Sequence, residues 1–195
     1  EFRRVPFRSP SLARDCMSAF ALVLAQSAFN QDRFAALGAR DVRVVGNLKY
    51  AAAPLPTDDA TFAALREQIG ERPHWLAASI HPGEDALIAD VHRRLKAAYP
   101  NLLTIAVPRH PSKAVDMAMQ MQGQNVVLRS AATTISPQSD IYIADTMGEL
   151  GLFYRLCDVV FVGKSLAVGG GQNPAEPAQL GCALLWGPDM SNFRD

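Results

Sequence analysis

The sequence predicts an α/β protein built on a Rossmann-like, doubly wound parallel sheet. Short apolar runs rich in β-branched residues, which are typical of buried strands, alternate with longer amphipathic segments that are typical of helices. This alternation favours parallel strands with helices on both faces of the sheet. Because 49% of its 195 residues are hydrophobic, the chain can bury a substantial core.

The first part of the chain contains one strand-helix-strand unit. Residues 1–18 predict a solvated, loosely helical segment. Residues 20–25 and 42–45 predict strands, with a helix between them over residues 30–37 that ends at Gly38. The proline-bearing stretch 51–56 then predicts a linker to the next unit.

The second part repeats the alternation several times. A helix over residues 58–69, capped by Thr57 or Asp58, ends at Gly70. Further strands are predicted over residues 75–79, 102–107, 126–128, 141–144, 159–162 and 183–186. Further helices are predicted over residues 83–98, 112–121, 146–156 and 175–180.

Composition limits the function classes. Nineteen basic and nineteen acidic side chains cancel, so nothing in the overall charge favours nucleic acid as a partner. Three widely spaced cysteines form neither a disulfide framework nor a zinc pattern, and no histidine pair has ligand spacing, so we expect no structural metal. We also expect no cofactor. The longest apolar run is too short to cross a bilayer. The abrupt first and last residues suggest a fragment.

In an open parallel sheet the ligand lies beyond the carboxyl ends of the strands. The turn Pro108-Arg109-His110-Pro111 follows the strand predicted over residues 102–107. A planar guanidinium at this place is suited to grip a phosphate or carboxylate, although an exposed arginine in an ordinary turn remains the alternative.

A second turn, Asp145-Thr146-Met147-Gly148-Glu149, follows the strand predicted over residues 141–144. We expect Asp145 or Thr146 to cap the next helix and Gly148 to lie in its first turn. Glycine inside a helix costs about 1 kcal/mol relative to alanine, so its presence favours close approach of a ligand to the backbone. Glu149 either complements the helix dipole or contacts that ligand.

A glycine-rich loop over residues 163–177 follows the strand predicted over residues 159–162. Its consecutive glycines, Gly169 to Gly171, let a ligand approach the main chain. Asn173 and Pro174 predict an N-cap and a first helical residue. Glu176 then either completes a capping box or accepts hydrogen bonds from sugar hydroxyls, and the spacing leaves both alternatives open.

His81, in the turn after the strand predicted over residues 75–79, is either a turn residue or a group for proton transfer. The sequence contains no nucleophile elbow, no phosphate-binding P-loop and no glycine fingerprint for NAD, which disfavours those enzyme classes. The turns together favour a nucleotide-type ligand, for which the carboxylates serve as binding groups.

Four motifs in this order resemble the bacterial Kdo (3-deoxy-D-manno-octulosonic acid) transferases of lipopolysaccharide synthesis. These motifs are Gly46-Asn47-Leu48-Lys49, Pro108-Arg109-His110-Pro111, the segment from Asp145 to Gly151, and the segment from Gly170 to Pro177. The likeness extends over nearly the whole chain.

The resemblance implies a two-domain GT-B glycosyltransferase fold. Residues 1–46 would be the end of the N-terminal, acceptor domain, and residues 47–195 most of the C-terminal domain that binds the donor CMP-Kdo. The implied donor contacts are Pro108, Arg109, Met147, Gly148, Glu149, Asn173, Pro174, Ala175 and Glu176. His81, Lys164, Gly170 and Gly171 are further candidates.

The resemblance also implies metal-independent transfer to the lipid A precursor lipid IVA at the cytoplasmic face of the bacterial inner membrane. The family's catalytic glutamate and its membrane-associating segment would precede residue 1, so we expect no catalytic base in this chain and no activity from it alone. Lys164 and Gln172 depart from the family's usual glycine and histidine. The alternatives are another GT-B enzyme that uses a UDP-sugar, as a transferase or an epimerase, and a non-catalytic nucleotide-sugar-binding module.

Overall fold

A computed structural model describes residues 9–131 and 134–193 of the chain. The contact pattern divides the chain into two compact units between Ala53 and Pro54, within the stretch that the sequence predicts as a linker. The predicted segment over residues 1–8 lies outside the described residues.

Among its described residues, the first unit contains two α-helices, a 3-10 turn (Leu48–Ala51) and a parallel pair of short strands. In chain order the α-helices and strands are α1 (Pro10–Ser18), β1 (Val23–Ala25), α2 (Ala28–Ala36) and β2 (Val42–Val44). The strand predicted over residues 20–25 begins later than expected, because the Phe20 N–H closes the turn after α1 by donating to the Met17 carbonyl at 3.3 Å. Ser27 caps α2, which starts two residues before the prediction.

The second unit contains six strands and five helices among its described residues. The strands are β3 (His74–Ile80), β4 (Leu103–Pro108), β5 (Val126–Leu128), β6 (Ile141–Ile143), β7 (Val159–Val162) and β8 (Ala183–Trp186). The helices are α3 (Asp59–Ile69), α4 (Asp85–Lys96), α5 (Ala114–Gln120), α6 (Leu150–Leu156) and α7 (Ala175–Gln179). Every predicted strand of this unit is present.

The six strands form one parallel sheet in the order β5-β6-β4-β3-β7-β8. The strands β4, β5 and β6 lie on one side of β3, and the chain then crosses to the other side of β3 to add β7 and β8. The topological switch point therefore lies between β3 and β7, which is where doubly wound sheets open a crevice for ligands.

Both faces of this sheet are buried, which confirms the predicted doubly wound α/β class. Along β3, Leu76 and Ala78 join a core with α3 and α6, whereas Trp75 and Ala77 join a second core with α4 and α5. This division follows from the two-residue period of a strand, which sends successive side chains to opposite faces.

Several predicted helices begin later than the sequence indicates; the one expected from residue 83, for example, starts at Asp85. The helix expected over residues 146–156 starts at Leu150, because Gly148 has a φ of 83° and lies before the helix, outside its first turn. The helix expected over residues 112–121 is divided into a 3-10 turn, Pro111–Lys113, followed by α5.

At the amino ends of the strands, Arg72 binds four backbone carbonyl oxygens. Its guanidinium donates to Asn101 at 2.8 Å, Leu102 at 3.1 Å, Ser136 at 3.1 Å and Ser139 at 2.7 Å. Burial lowers the pKa of Arg72, although the charge of Asp140 opposes that shift. One cation thus ties together the segments that lead into β3, β4 and β6.

The same edge holds a buried polar cluster around Asp140. This carboxylate accepts hydrogen bonds from the Lys96 ammonium at 2.5 Å and from the Asn125 N–H at 2.9 Å. Burial alone would raise the pKa of Asp140, but these hydrogen bonds outweigh it and lower that pKa. His92 is fully buried beside them, with Nδ1 at 2.9 Å from Thr104 Oγ1, and burial lowers its pKa.

Candidate functional site

The exits of β3 and β7 are closely packed at the switch point. Ser79 and Lys164 both have positive φ values, 57° and 62°, which residues with a side chain rarely adopt. Gly163 directly precedes Lys164, and a Cβ atom added to it would lie 2.5 Å from the Ser79 carbonyl oxygen. Glycine is therefore required where the two strands end.

The Glu84 side chain links the residues that follow β3 to the residues that follow β7. Its carboxylate accepts backbone N–H hydrogen bonds from His81 at 3.0 Å, Lys164 at 2.7 Å, Ser165 at 3.0 Å and Leu166 at 3.0 Å. Glu84 is fully buried and is the N-cap residue of α4, yet its side chain makes no bond to its own helix. Sequence reasoning missed this role, because three of the four partners follow a strand about 80 residues away.

His81 is half-buried in the same crevice, with Nδ1 at 3.0 Å from the Ser79 carbonyl oxygen. Burial is the main cause that lowers the pKa of His81, and the charges of Lys164 and Arg109 act in the same direction. Basic side chains that follow β4 and β7 therefore both act on the residue that follows β3, as the parallel topology predicts.

Pro108 and Arg109 lie at the end of β4. Pro108 is buried, and the Arg109 N–H donates to the Ile80 carbonyl oxygen at 2.9 Å, which fixes the backbone against β3. The Arg109 side chain is exposed, and no carboxylate of the described residues lies within salt-bridge distance of it. Its charge is thus available to a ligand.

The turn after β6 presents Met147, Gly148 and Glu149. Met147 is 78% exposed, and Gly148 has open space where a Cβ would be. The glycine therefore permits a positive φ before α6, which is the physical reason that the sequence-based helix start is wrong.

Arg129 holds the Glu149 carboxylate by two hydrogen bonds, of 2.5 and 2.6 Å. Thr146 Oγ1 donates to the same carboxylate, and Arg129 also reaches the Tyr142 hydroxyl at 2.9 Å. The hydrogen bonds from Arg129 are the main cause that lowers the pKa of Glu149. Sequence reasoning missed Arg129, although it directly follows β5 and the rule of inspecting post-strand residues would have found it.

The glycine-rich loop folds back on its own beginning and on residues 189–192. The N–H groups of Gly171 and Gln172 donate to the carbonyl oxygens of Lys164 and Gly163, at 2.9 and 3.2 Å. A Cβ on Gly170 would lie 2.6 Å from Asn192 Nδ2. Close packing, as well as positive φ, therefore requires glycine in this loop.

The helix after this loop begins at Ala175, as the range 175–180 predicts, but its N-cap differs from the predicted Asn173. Pro174 is the N-cap residue and Ala175 the first residue of α7, while Asn173 Oδ1 accepts from the Ala175 N–H at 3.1 Å. Glu176 Oε1 accepts from the Asn173 side-chain amide at 2.9 Å. The side-chain contact replaces the expected capping box because the N-cap lies one residue later.

The described residues form pockets at the carboxyl edge. One, of about 200 Å³, is lined by Pro56, Thr57, Asp58, Gly148, Glu149 and Leu152. Another, of about 410 Å³, is lined by Pro174, Trp186, Pro188, Asp189, Met190, Ser191 and Phe193. A third, of about 320 Å³ around Arg66 and Asp158, opens at the amino edge, away from the predicted ligand turns.

No helix within residues 9–131 and 134–193 is long and apolar enough to span a membrane. The same residues contain no group of three or more His, Cys, Asp or Glu side chains that would hold a metal ion. The carboxyl edge instead offers hydrogen-bond donors, an unpaired arginine and oriented carboxylates. A doubly wound sheet with polar groups beyond the carboxyl ends of its strands has the architecture typical of α/β domains that bind nucleotides.

Comparisons with known proteins specify that class further. The profile of the family described as 3-Deoxy-D-manno-octulosonic-acid transferase (kdotransferase) matches residues 1–52. The chain is 36% identical over 186 residues to the 3-deoxy-D-manno-octulosonic acid transferase of Haemophilus influenzae. It is 32% identical over 186 residues to a probable mitochondrial enzyme of the same name from Arabidopsis thaliana. These alignments cover 90% and 91% of the chain but only 42% of each relative.

Among solved structures, the chain is similar to the C-terminal CMP-Kdo binding domain of WaaA from Acinetobacter baumannii. The TM-score is 0.65 at 34% sequence identity, and the match covers 69% of this chain and 72% of that one. The chain therefore belongs to the Kdo transferase family.

Proposed function

We propose that this chain supplies the donor-binding half of an enzyme that transfers Kdo from CMP-Kdo to a hydroxyl group of a lipid A precursor such as lipid IVA. The observation that carries the proposal is the likeness to a CMP-Kdo binding domain over 69% of the chain. The arrangement of polar groups at the carboxyl edge supports it.

Arg109 is the proposed partner of the donor phosphate. Its backbone is fixed by the hydrogen bond to Ile80, while its guanidinium remains exposed and without a salt-bridge partner among the described residues. A preorganised cation of this kind stabilises the negative charge that grows on CMP as the bond to the sugar breaks. Pro108, which ends β4, is proposed to contact the nucleotide beside it.

Met147, Gly148 and Glu149 form the proposed nucleotide wall next to Arg109. The open backbone at Gly148 and the exposed Met147 side chain leave room for a flat base or a ribose. Glu149 is held in one orientation by Arg129, so its free lone pairs are directed before a ligand arrives.

Asn173 to Glu176, with Pro174 and Ala175 between them, form the proposed wall for the ribose and phosphate. The Asn173–Glu176 hydrogen bond orders two groups that can accept from sugar hydroxyls. Gly170, Gly171, Lys164 and His81 border the same edge as secondary contacts.

We assign residues 1–46 to the end of an acceptor domain and residues 47–195 to the donor domain; the contact division lies slightly later, after Ala53. In the proposed reaction the acceptor oxygen attacks the anomeric carbon, the bond from that carbon to the phosphate oxygen breaks, and CMP leaves. A general base on the acceptor domain takes the hydroxyl proton. The whole enzyme is proposed to act at the cytoplasmic face of the bacterial inner membrane.

Titration calorimetry with CMP, UMP and AMP tests the donor assignment, after a cooperative thermal transition has shown that the chain is folded. We expect CMP to bind more tightly than UMP or AMP. Equal affinity for UMP would favour a UDP-sugar enzyme, and a folded chain that binds none of the three would overturn the proposal.

The Arg109→Ala variant tests the phosphate contact. We expect it to weaken CMP by roughly tenfold while changing cytidine much less, since only CMP carries the phosphate. Arg93→Ala, which removes an exposed arginine of α4, is the matched control and should leave both affinities unchanged. Equal losses for CMP and cytidine would show that Arg109 does not contact the phosphate.

A further inference from the structure

We propose that Glu84 is a positioning residue of the donor site, an internal anion that holds the glycine-rich loop in its ligand-binding conformation. The proposal rests on the proposed donor site. It starts from the four backbone N–H groups that converge on a single fully buried carboxylate.

The surroundings of Glu84 differ from those of an ordinary buried acid. Buried carboxylates usually pair with a cation, yet no basic side chain of the described residues forms a salt bridge with Glu84. Each of its oxygens instead accepts two backbone N–H groups. Oε2 binds those of His81 and Lys164, and Oε1 those of Ser165 and Leu166.

Consecutive N–H groups that converge at a loop form an anion-binding concavity of the kind that otherwise holds a phosphate. Here the protein fills that concavity with its own carboxylate. We infer that the donor phosphate is thereby directed outward, toward Arg109, while Glu84 keeps the switch-point amides in place.

Ser165, which donates its N–H to Glu84, continues this hydrogen-bond network along the loop. The Ser165 hydroxyl donates to the Val162 carbonyl oxygen at 2.7 Å and accepts from the Gly187 N–H at 2.8 Å, which ties β7 to the turn after β8. The Lys164 carbonyl oxygen receives the Gly171 N–H at 2.9 Å. The position of Gly171, and of Asn173 beyond it, therefore depends on the anchored residues 164–166.

Two variants separate an anchoring role from a general stabilising one. Glu84→Gln keeps the shape but places an N–H₂ group against two backbone donors, and Glu84→Ala removes the anion. We expect both to weaken CMP binding by on the order of tenfold to a hundredfold at a temperature where they remain folded. Asp140→Asn is the control, because it perturbs another buried carboxylate that accepts a backbone N–H, at the opposite edge of the sheet.

Chemical rescue supplies a readout that a merely structural role would not change. Formate, a small carboxylate that fits the space left in Glu84→Ala, should restore most of the lost CMP affinity, whereas chloride at equal ionic strength should not. The wild type and Asp140→Asn should show no dependence on formate. Folded Glu84 variants that bind CMP as the wild type does, or a folded Glu84→Ala variant that formate fails to rescue, would overturn the proposal.

If neither variant folds, amide hydrogen exchange in the wild type tests whether Glu84 anchors residues 164–166. We expect the Lys164, Ser165 and Leu166 amides to exchange far more slowly than those of Val168 and Gly169, and to slow further with CMP. Equal exchange along the loop would overturn the anchor. If the wild type does not bind CMP, the proposed function fails, whereas protection of the three amides still tests the anchor itself.

Discussion

The two edges of the six-stranded sheet use opposite charges for the same purpose. At the amino edge, Arg72 is surrounded by four backbone carbonyl oxygens, and at the carboxyl edge Glu84 is surrounded by four backbone N–H groups. Parallel topology explains why the cation lies at one edge and the anion at the other. Segments that lead from helices into strands expose carbonyl oxygens at the amino edge, whereas segments that lead from strands into helices expose N–H groups at the carboxyl edge.

The edges differ in where the proposed donor contacts lie. At the amino edge the main charged groups are used internally, since Arg72 binds carbonyls and Asp140 binds Lys96. At the carboxyl edge Glu84 is used internally, but Arg109 has no salt-bridge partner among the described residues and Met147 is exposed. We therefore expect the Arg72 and Asp140 contacts of the amino edge to contribute stability alone, whereas the carboxyl edge contributes stability and carries the proposed donor contacts.

The largest effect on stability is expected for Arg72→Met, which removes all four hydrogen bonds of the Arg72 side chain at the amino edge. Because the carbonyl oxygens lose a charged donor, the free energy of unfolding should fall by about 3 kcal/mol. Urea unfolding measures this loss, with the exposed Arg93→Met as a control that changes it little. CMP affinity should be unchanged in the folded protein; a loss of affinity as large as that of the Glu84 variants would remove the distinction between the edges.

A smaller effect is expected for Gly163→Ala at the carboxyl edge. The new Cβ would meet the Ser79 and Ala78 carbonyl oxygens at 2.5 and 2.9 Å, so the exits of β3 and β7 must separate. We expect a loss of about 2 kcal/mol in unfolding free energy together with weaker CMP binding.

Gly123→Ala is the matched control for Gly163→Ala, since its Cβ would meet no atom within 4 Å and only its φ of 85° is unfavourable. It should cost about 1 kcal/mol and leave CMP affinity unchanged. Equal losses of stability and affinity in both variants would contradict the close packing at the switch point.

The smallest expected effect is on the pH dependence of stability, through His92 at the amino edge. Burial lowers the pKa of His92, so the unfolded state binds its proton more readily than the folded state does. Stability is then complete above the ordinary histidine pKa and is lost as pH falls through it. The thermal midpoint should fall less between pH 7.5 and 5.5 in His92→Asn than in the wild type, with His81 accounting for the remaining slope. Parallel pH profiles would contradict this assignment.

Most of the fold could be predicted from the sequence, because each strand of the sheet is a short apolar run between amphipathic segments. Parallel topology then placed Arg109, Met147 and Lys164 on one edge. The start of α6 and the N-cap of α7 could not be predicted, since they depend on the backbone conformations of Gly148 and Pro174.

The roles of Glu84 and Arg129 needed the structure. Glu84 appears in the sequence as an ordinary residue at a helix start, and its partners at residues 164–166 become neighbours only when β7 pairs with β3. Arg129 is different, because its position directly after β5 was visible; only its pairing with Glu149 was not.

In the proposed function the donor nucleotide binds at the carboxyl edge of the sheet and not at the amino edge. Two-dimensional amide NMR of the isotope-labelled chain during a CMP titration tests it most directly. We predict saturable shifts at Arg109, Gly148, Glu149 and Asn173, with none at Arg72 or Asp140. Shifts confined to the amino edge, around the Arg66 cavity, would contradict the account.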